Sequence, residues 1–175
     1  MEADGAAALK TELSYYTIVP DDFIFGRLNA SSLTYTNPSW NASHYPDIKP
    51  SQFPVIIDSG TTLTFLPEAV ARNYARQVPQ PVAISQGNYW AHCDSKMPKF
   101  GIVIGGKTLW WKDEDLLMQD IRKEFLQQDG ETAEFCAIGL MDVLPNGPFV
   151  LGDNFLNGLV SVFDVGASEM RFYEM

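Results

Sequence analysis

The amino-acid sequence predicts an all-β domain with a few short helices. Three observations predict it: short runs of β-branched and aromatic residues recur along the chain, Gly-, Pro- and Asn-containing turns separate them, and helical periodicity is scarce. The 175 residues are 46% hydrophobic, enough to bury a core and to exclude a disordered chain. No apolar run is long enough to predict a membrane-spanning helix. A formal net charge of −10 argues against a nucleic-acid partner, because a phosphate backbone would be repelled.

Taken in order, residues 1–12 hold no basic or apolar leader segment and are expected to be disordered, with the folded domain spanning 13–175. Ser14 to Val19 reads as a strand, and Phe23 to Gly26 as a second after a turn. Asn29 to Pro54, rich in Ser, Asn and Pro, reads as a long surface loop. Val55-Ile56-Ile57 enters a polar turn, Asp58-Ser59-Gly60-Thr61-Thr62, and Leu63 to Leu66 leaves it. Pro67-Glu68 then opens a helix to about Gln77, with proline in its first turn and Val70 and Tyr74 on its core face.

Strands follow at Tyr89 to Cys93, Phe100 to Ile104 and, after Gly105-Gly106, Thr108 to Trp111. Of the adjacent Trp110 and Trp111, one should face the core. Lys112 to Gln128 mixes charges with helix formers and is expected to hold a short helix. Cys136 to Leu140 and Phe149 to Asp153 read as strands, with a short helix from Asn154 to Gly158 after the latter. Leu159 to Asp164 and Met170 to Tyr173 close the chain as strands.

Cys93 and Cys136 are the only cysteines. They are either two buried thiols or a disulfide, and the presence of two N-glycosylation sequons, at Asn29 and Asn41, favours the disulfide. A bridge closing this loop would stabilise the chain by about 3–4 kcal/mol. His44 and His92 lack the neighbours of a metal site, and no G-x-S-x-G elbow suggests a serine hydrolase. A glycosidase carboxylate pair has no second acidic turn to supply it.

The turn at Asp58 carries the chemistry. A carboxylate between two apolar strands needs donors, and Ser59, Thr61, Thr62 and the backbone around Gly60 offer them. Val55 to Thr62 resembles the D-[ST]-G-[TS] catalytic loop of pepsin-like aspartic peptidases. Phe149-Val150-Leu151-Gly152-Asp153 is similar to the apolar-apolar-Gly segment that threads beneath that loop, and the closing strands also match the C-terminal lobe of the family. The resemblance covers about Tyr15 to Met175 and implies an acid-protease lobe, a half-barrel of strands.

By that resemblance Asp58 is one of two catalytic aspartates within the loop Ser59, Gly60, Thr61 and Thr62. Ser59 belongs to a hydroxyl network tying two active-site loops together, Thr61 lies beside substrate backbone, and Ile56 faces the primed side. Cys93 and Cys136 pair as the lobe's disulfide. Neither metal nor cofactor is implied. The expected substrate is a peptide or protein, and the expected location secreted, vacuolar or lysosomal.

Only one such loop occurs in the sequence. Three readings follow: a lobe of a two-lobed endopeptidase that is inactive without its N-terminal partner, a catalytically silent domain that binds peptides or partners, and a self-dimer that pairs two Asp58 residues as retroviral peptidases do.

Overall fold

A computed structural model describes residues 16–26, 28–29, 52–80, 82–127, 130–143, 147–167 and 169–175. The expected disorder of 1–12, positions 30–51 of the expected loop from Asn29 to Pro54, His44, the sequon at Asn41 and the rest of the sequon that begins at Asn29 lie outside these residues, and Asn29 itself falls in a short strand rather than the loop.

Among the described residues strand pairing forms four sheets. The central, five-stranded sheet contains β1 (Thr17–Ile18), β4 (Val55–Ile57), β5 (Thr64–Leu66), β12 (Leu140–Asp142) and β13 (Val150–Leu151), in the order β1-β4-β13-β5-β12. Its middle strand, β13, runs parallel to β4 but antiparallel to β5, so the chain returns from far along the sequence to slot between the two arms of the Asp58 turn. Val55, Ile57, Leu66, Leu140 and Leu151 point into the main core. Pleat alternation puts Ile56, Val150, Phe65 and Met141 on the opposite face, in one register line.

A second sheet joins β2 (Asp22–Phe25), β3 (Leu28–Asn29), β8 (Phe100–Ile104) and β9 (Lys107–Trp110) in the order β3-β2-β8-β9. Phe23, Phe25, Phe100 and Ile102 bury its inner face in the core. Of the two adjacent tryptophans, Trp111 is buried and Trp110 is 41% exposed. Helix α1 (Glu68–Ala75) starts after Pro67 and buries Val70, Ala71, Tyr74 and Ala75, as its periodicity predicts.

The third sheet orders β10 (Leu117–Leu126), β11 (Thr132–Ile138), β7 (Asn88–His92) and β6 (Ala83–Ser85). The segment expected to hold a short helix does so for only one turn, α2 (Asp113–Leu116), before β10 begins. The expected strand through Leu140 is broken at Gly139, which separates β11 from β12. The disulfide expected between Cys93 and Cys136 is present and joins β11 to the turn after β7. Met118, Ile121 and Phe125 of β10 close a small second core over Trp90, Phe135 and Ala137.

The chain ends with helix α3 (Asp153–Leu156) and a hairpin of β14 (Leu159–Asp164) and β15 (Glu169–Glu174). One face of the hairpin is anchored by Phe172 against Phe155, with ring centroids 5.7 Å apart. The other presents Val160, Val162 and Tyr173 to solvent, and Phe163 meets Tyr16 edge to face. Among the described residues no helix is long and apolar enough to cross a membrane.

Candidate active site

Strand β4 is buried along its whole length, and at Asp58 the chain turns out toward solvent. The Asp58 N–H is still tied to the sheet, donating to the Leu151 carbonyl at 3.1 Å. The turn closes when the Thr61 N–H donates to the Asp58 carbonyl at 3.3 Å. Both carboxylate oxygens are then engaged. The Gly60 N–H donates to Oδ1 at 2.9 Å and the Thr61 hydroxyl to Oδ2 at 2.6 Å. These donors, Thr61 first and Gly60 second, hold the Asp58 carboxyl below its ordinary value of 3.8. Ser59, Gly60 and Thr62 are exposed, whereas Asp58 and Thr61 are partly covered. The result is a pre-oriented carboxylate, with a donor on each oxygen, at a solvent-facing turn.

Gly152 makes this turn possible from below. A Cβ at that position would run into the carbonyl oxygens of Thr61 and Leu63, so only glycine lets the strand pass there. Immediately beyond it, the Asp153 N–H donates to the Thr61 carbonyl at 2.7 Å and the Asn154 N–H to the Thr62 carbonyl at 3.1 Å. The first free amides of α3 thus satisfy the carbonyls that the turn leaves open.

Asn154 then locks the turn to the rest of the domain. It is 1% exposed, and its side chain uses both ends. Oδ1 accepts from the Thr64 hydroxyl at 2.8 Å, while Nδ2 donates to the carbonyls of Gly139 at 2.8 Å and Asp115 at 3.2 Å. The Gly139 carbonyl also accepts from the Thr64 N–H at 3.0 Å. Sequence reasoning missed Asn154, Thr64 and Gly139 as supports of the site. The available signal was an asparagine directly between Gly-Asp and the apolar Phe155-Leu156 pair, where a buried amide must find partners.

The structure brings Asp58, Ser59, Gly60, Thr61 and Thr62 together with the Gly152 segment, and puts Ile56 two residues before the aspartate on the face away from the core. His92 is not part of this site. It stacks on Phe135 with ring centroids 4.2 Å apart. Among the described residues no group of three His, Cys, Asp or Glu side chains is arranged to hold a metal ion.

Residues 18–175 match the family model described as eukaryotic aspartyl protease. The chain is 34% identical over 119 residues to a probable aspartic-type endopeptidase of Aspergillus fumigatus, covering 67% of this chain and 26% of that protein. It is 28% identical to an acid protease of Saccharomycopsis fibuligera, covering 70% of this chain and 29% of the relative. It is 30% identical to candidapepsin-2 of Candida parapsilosis, with 74% and 28% covered. The matches therefore span less than a third of the length of these relatives.

Proposed function

The chain belongs to the eukaryotic aspartyl protease family, and from that premise we propose that it is one lobe of a pepsin-like endopeptidase in which Asp58 supplies one of two catalytic carboxylates. The observation that carries this reading is the double hydrogen bonding of Asp58. Donors on both oxygens favour the ionised form, which is the form that must take a proton from water.

The chemistry needs a second acid. Two carboxyl groups held a few ångströms apart share one proton, because both cannot ionise at that distance. The ionised member accepts a proton from the bound water as that water attacks the scissile carbonyl. The protonated member donates toward the carbonyl oxygen, giving a tetrahedral diol without a covalent enzyme intermediate. Since the sequence has one such loop, the second carboxylate comes from another lobe. The exposed Val160, Val162, Phe163, Tyr173 and Tyr16 support a partner against the terminal hairpin.

In this reading Ser59 ties the two loops together, as the family resemblance implies, and Thr61, whose hydroxyl donates to Asp58, lies beside substrate backbone. Ile56, in line with Val150, Phe65 and Met141, offers an apolar floor on the primed side. The Cys93–Cys136 bridge supports a secreted or vacuolar setting, where disulfides persist.

The test is cleavage of denatured haemoglobin at about pH 4, by the chain alone and after mixing with the D-T-G-bearing lobe of a homologous peptidase. The monomer is expected to be inactive. Mixing should give pepstatin-sensitive turnover, which Asp58→Asn lowers by about 10²–10⁴-fold. Turnover by the monomer would refute the need for a partner, and turnover that tracks homodimer formation would establish the self-paired arrangement instead. Saturable peptide binding with no turnover in any mixture would establish a silent binding lobe.

A further inference from the structure

Apart from tyrosine and tryptophan, the polar side chains buried among the described residues are Thr64, Ser95, Asp115 and Asn154. All but Ser95 join one network beneath the Asp58 turn, and Asp115 is its one ionisable member. The proposed chemistry does not use this carboxyl group. Asp115 sits in α2 at 6% exposure, and among the described residues its Oδ2 finds no hydrogen-bond partner. Burying a carboxyl group so sparsely served costs free energy, and an apolar side chain would fill the position without that cost. A group held there needs a physical account.

The neighbouring helix supplies one. α3 is a single turn, too short to hold its shape unaided. Yet its first amides must stay on the Thr61 and Thr62 carbonyls for the turn to keep its form. Asp115 grips this helix at both ends. Its backbone carbonyl accepts from Asn154 Nδ2 at 3.2 Å near the start, and its side-chain Oδ1 accepts from Asn157 Nδ2 at 3.1 Å just past the end. Lys112, at the entry to α2, adds a third tie, donating from Nζ to the Asn157 carbonyl at 3.2 Å. The two helices also converge closely. A Cβ on Gly139 would strike both the Asp115 carbonyl oxygen and the Asn154 side-chain amide, so only glycine fits between them.

We propose that Asp115 is a positioning residue for the Asp58 turn: its carboxyl group, acting through Asn157, fixes α3 so that the Asp153 and Asn154 amides stay aimed at the Thr61 and Thr62 carbonyls. The role rests on the reading of Asp58 as a catalytic carboxylate, but the linkage is a property of this chain alone. The Gly60 amide and the Thr61 hydroxyl reach Asp58 only while the turn is closed, so loosening α3 loosens both donors.

The experiment compares Asp115→Ala with Asp115→Asn in the full chain. In Asp115→Ala, hydrogen exchange at the Asp153 and Asn154 amides is expected to quicken about tenfold, the equivalent of one hydrogen bond, while the β10-β11 ladder keeps its parental protection. In the same variant the Asp58 carboxyl carbon should titrate with its midpoint moved up toward 3.8. Asp115→Asn retains an oxygen for Asn157 and should restore both readings. Asn157→Ala removes the donor from an exposed position without opening the core, and should reproduce the loss even if Asp115→Ala does not fold. Exchange that quickens equally in α3 and in the ladder would make Asp115 a general stabiliser and overturn the proposal. So would an unmoved Asp58 midpoint, parental exchange in Asn157→Ala, or Asp115→Asn behaving as the alanine variant does. Haemoglobin cleavage in the reconstituted mixture tests the catalytic reading separately, so the failure of either is told apart from the failure of the other.

Discussion

Asp58 shows how little is needed to pre-set a carboxylate. One hydroxyl and one amide, both within three residues, hold it in its charged form. Replacing Thr61 with valine removes the larger of these influences, so the Asp58 pKa should rise toward 3.8. An NMR titration of the side-chain carboxyl carbon checks this, and an unmoved midpoint would place the cause elsewhere. For the stability linkage, a lowered folded-state value means that the contribution of Asp58 is present above its ordinary value and fades as pH falls through the lowered one. At this scale the loop was readable because its donors are close in sequence. Asn154 was not, because its partners Thr64, Gly139 and Asp115 are remote, and nothing local marks an amide as buried.

Strand β13 constrains the site, while the disulfide constrains the third sheet. Gly152→Ala would force the Thr61 and Leu63 carbonyls away from the returning strand. A loss of about 3 kcal/mol in urea unfolding is the expected outcome, together with weakened donation from the Asp153 and Asn154 amides. Replacing both Cys93 and Cys136 with serine opens a 43-residue loop and should cost about 3–4 kcal/mol, measured in the same way. Strand β10 is where local sequence misleads. Leu117, Ile121 and Phe125 are spaced as on a helix face, and the segment is rich in helix formers. Pairing with β11 overrides that preference, and the irregularity between Met118 and Arg122 lets Met118, Ile121 and Phe125 all reach the small core at Trp90.

Across the molecule, acidity is tuned in opposite directions. While Asp58 is held low, Asp142 is pushed above 3.8, chiefly by burial and further by Glu68, against the hydrogen bond from Tyr89 and the charge of Arg72. A raised carboxyl binds its proton more tightly when folded, so it lowers stability as pH climbs from its ordinary value through the raised one. Asp142→Asn keeps an acceptor for Tyr89 and removes that penalty. Its Tm should match the parent at about pH 3 and exceed it at about pH 6, and a constant difference across pH would contradict the assignment. The all-β class, the order of the main strands and the Asp58 loop were legible because turn residues and apolar runs are local signals. The threading of β13 between β4 and β5 emerged from sequence only through family resemblance, since no spacing rule encodes a partner so far along the chain.

That threading also has a temporal meaning. Thr64 and Asn154 lie 90 residues apart, yet their bond helps brace the loop that carries Asp58. In a nascent chain Thr64 leaves the ribosome 90 residues before Asn154, so the turn cannot be braced until that segment follows, and closing so distant a contact is intrinsically slow. The turn is therefore left unbraced while those 90 residues are made, and its carboxylate reaches its final setting only after the distant segment has arrived.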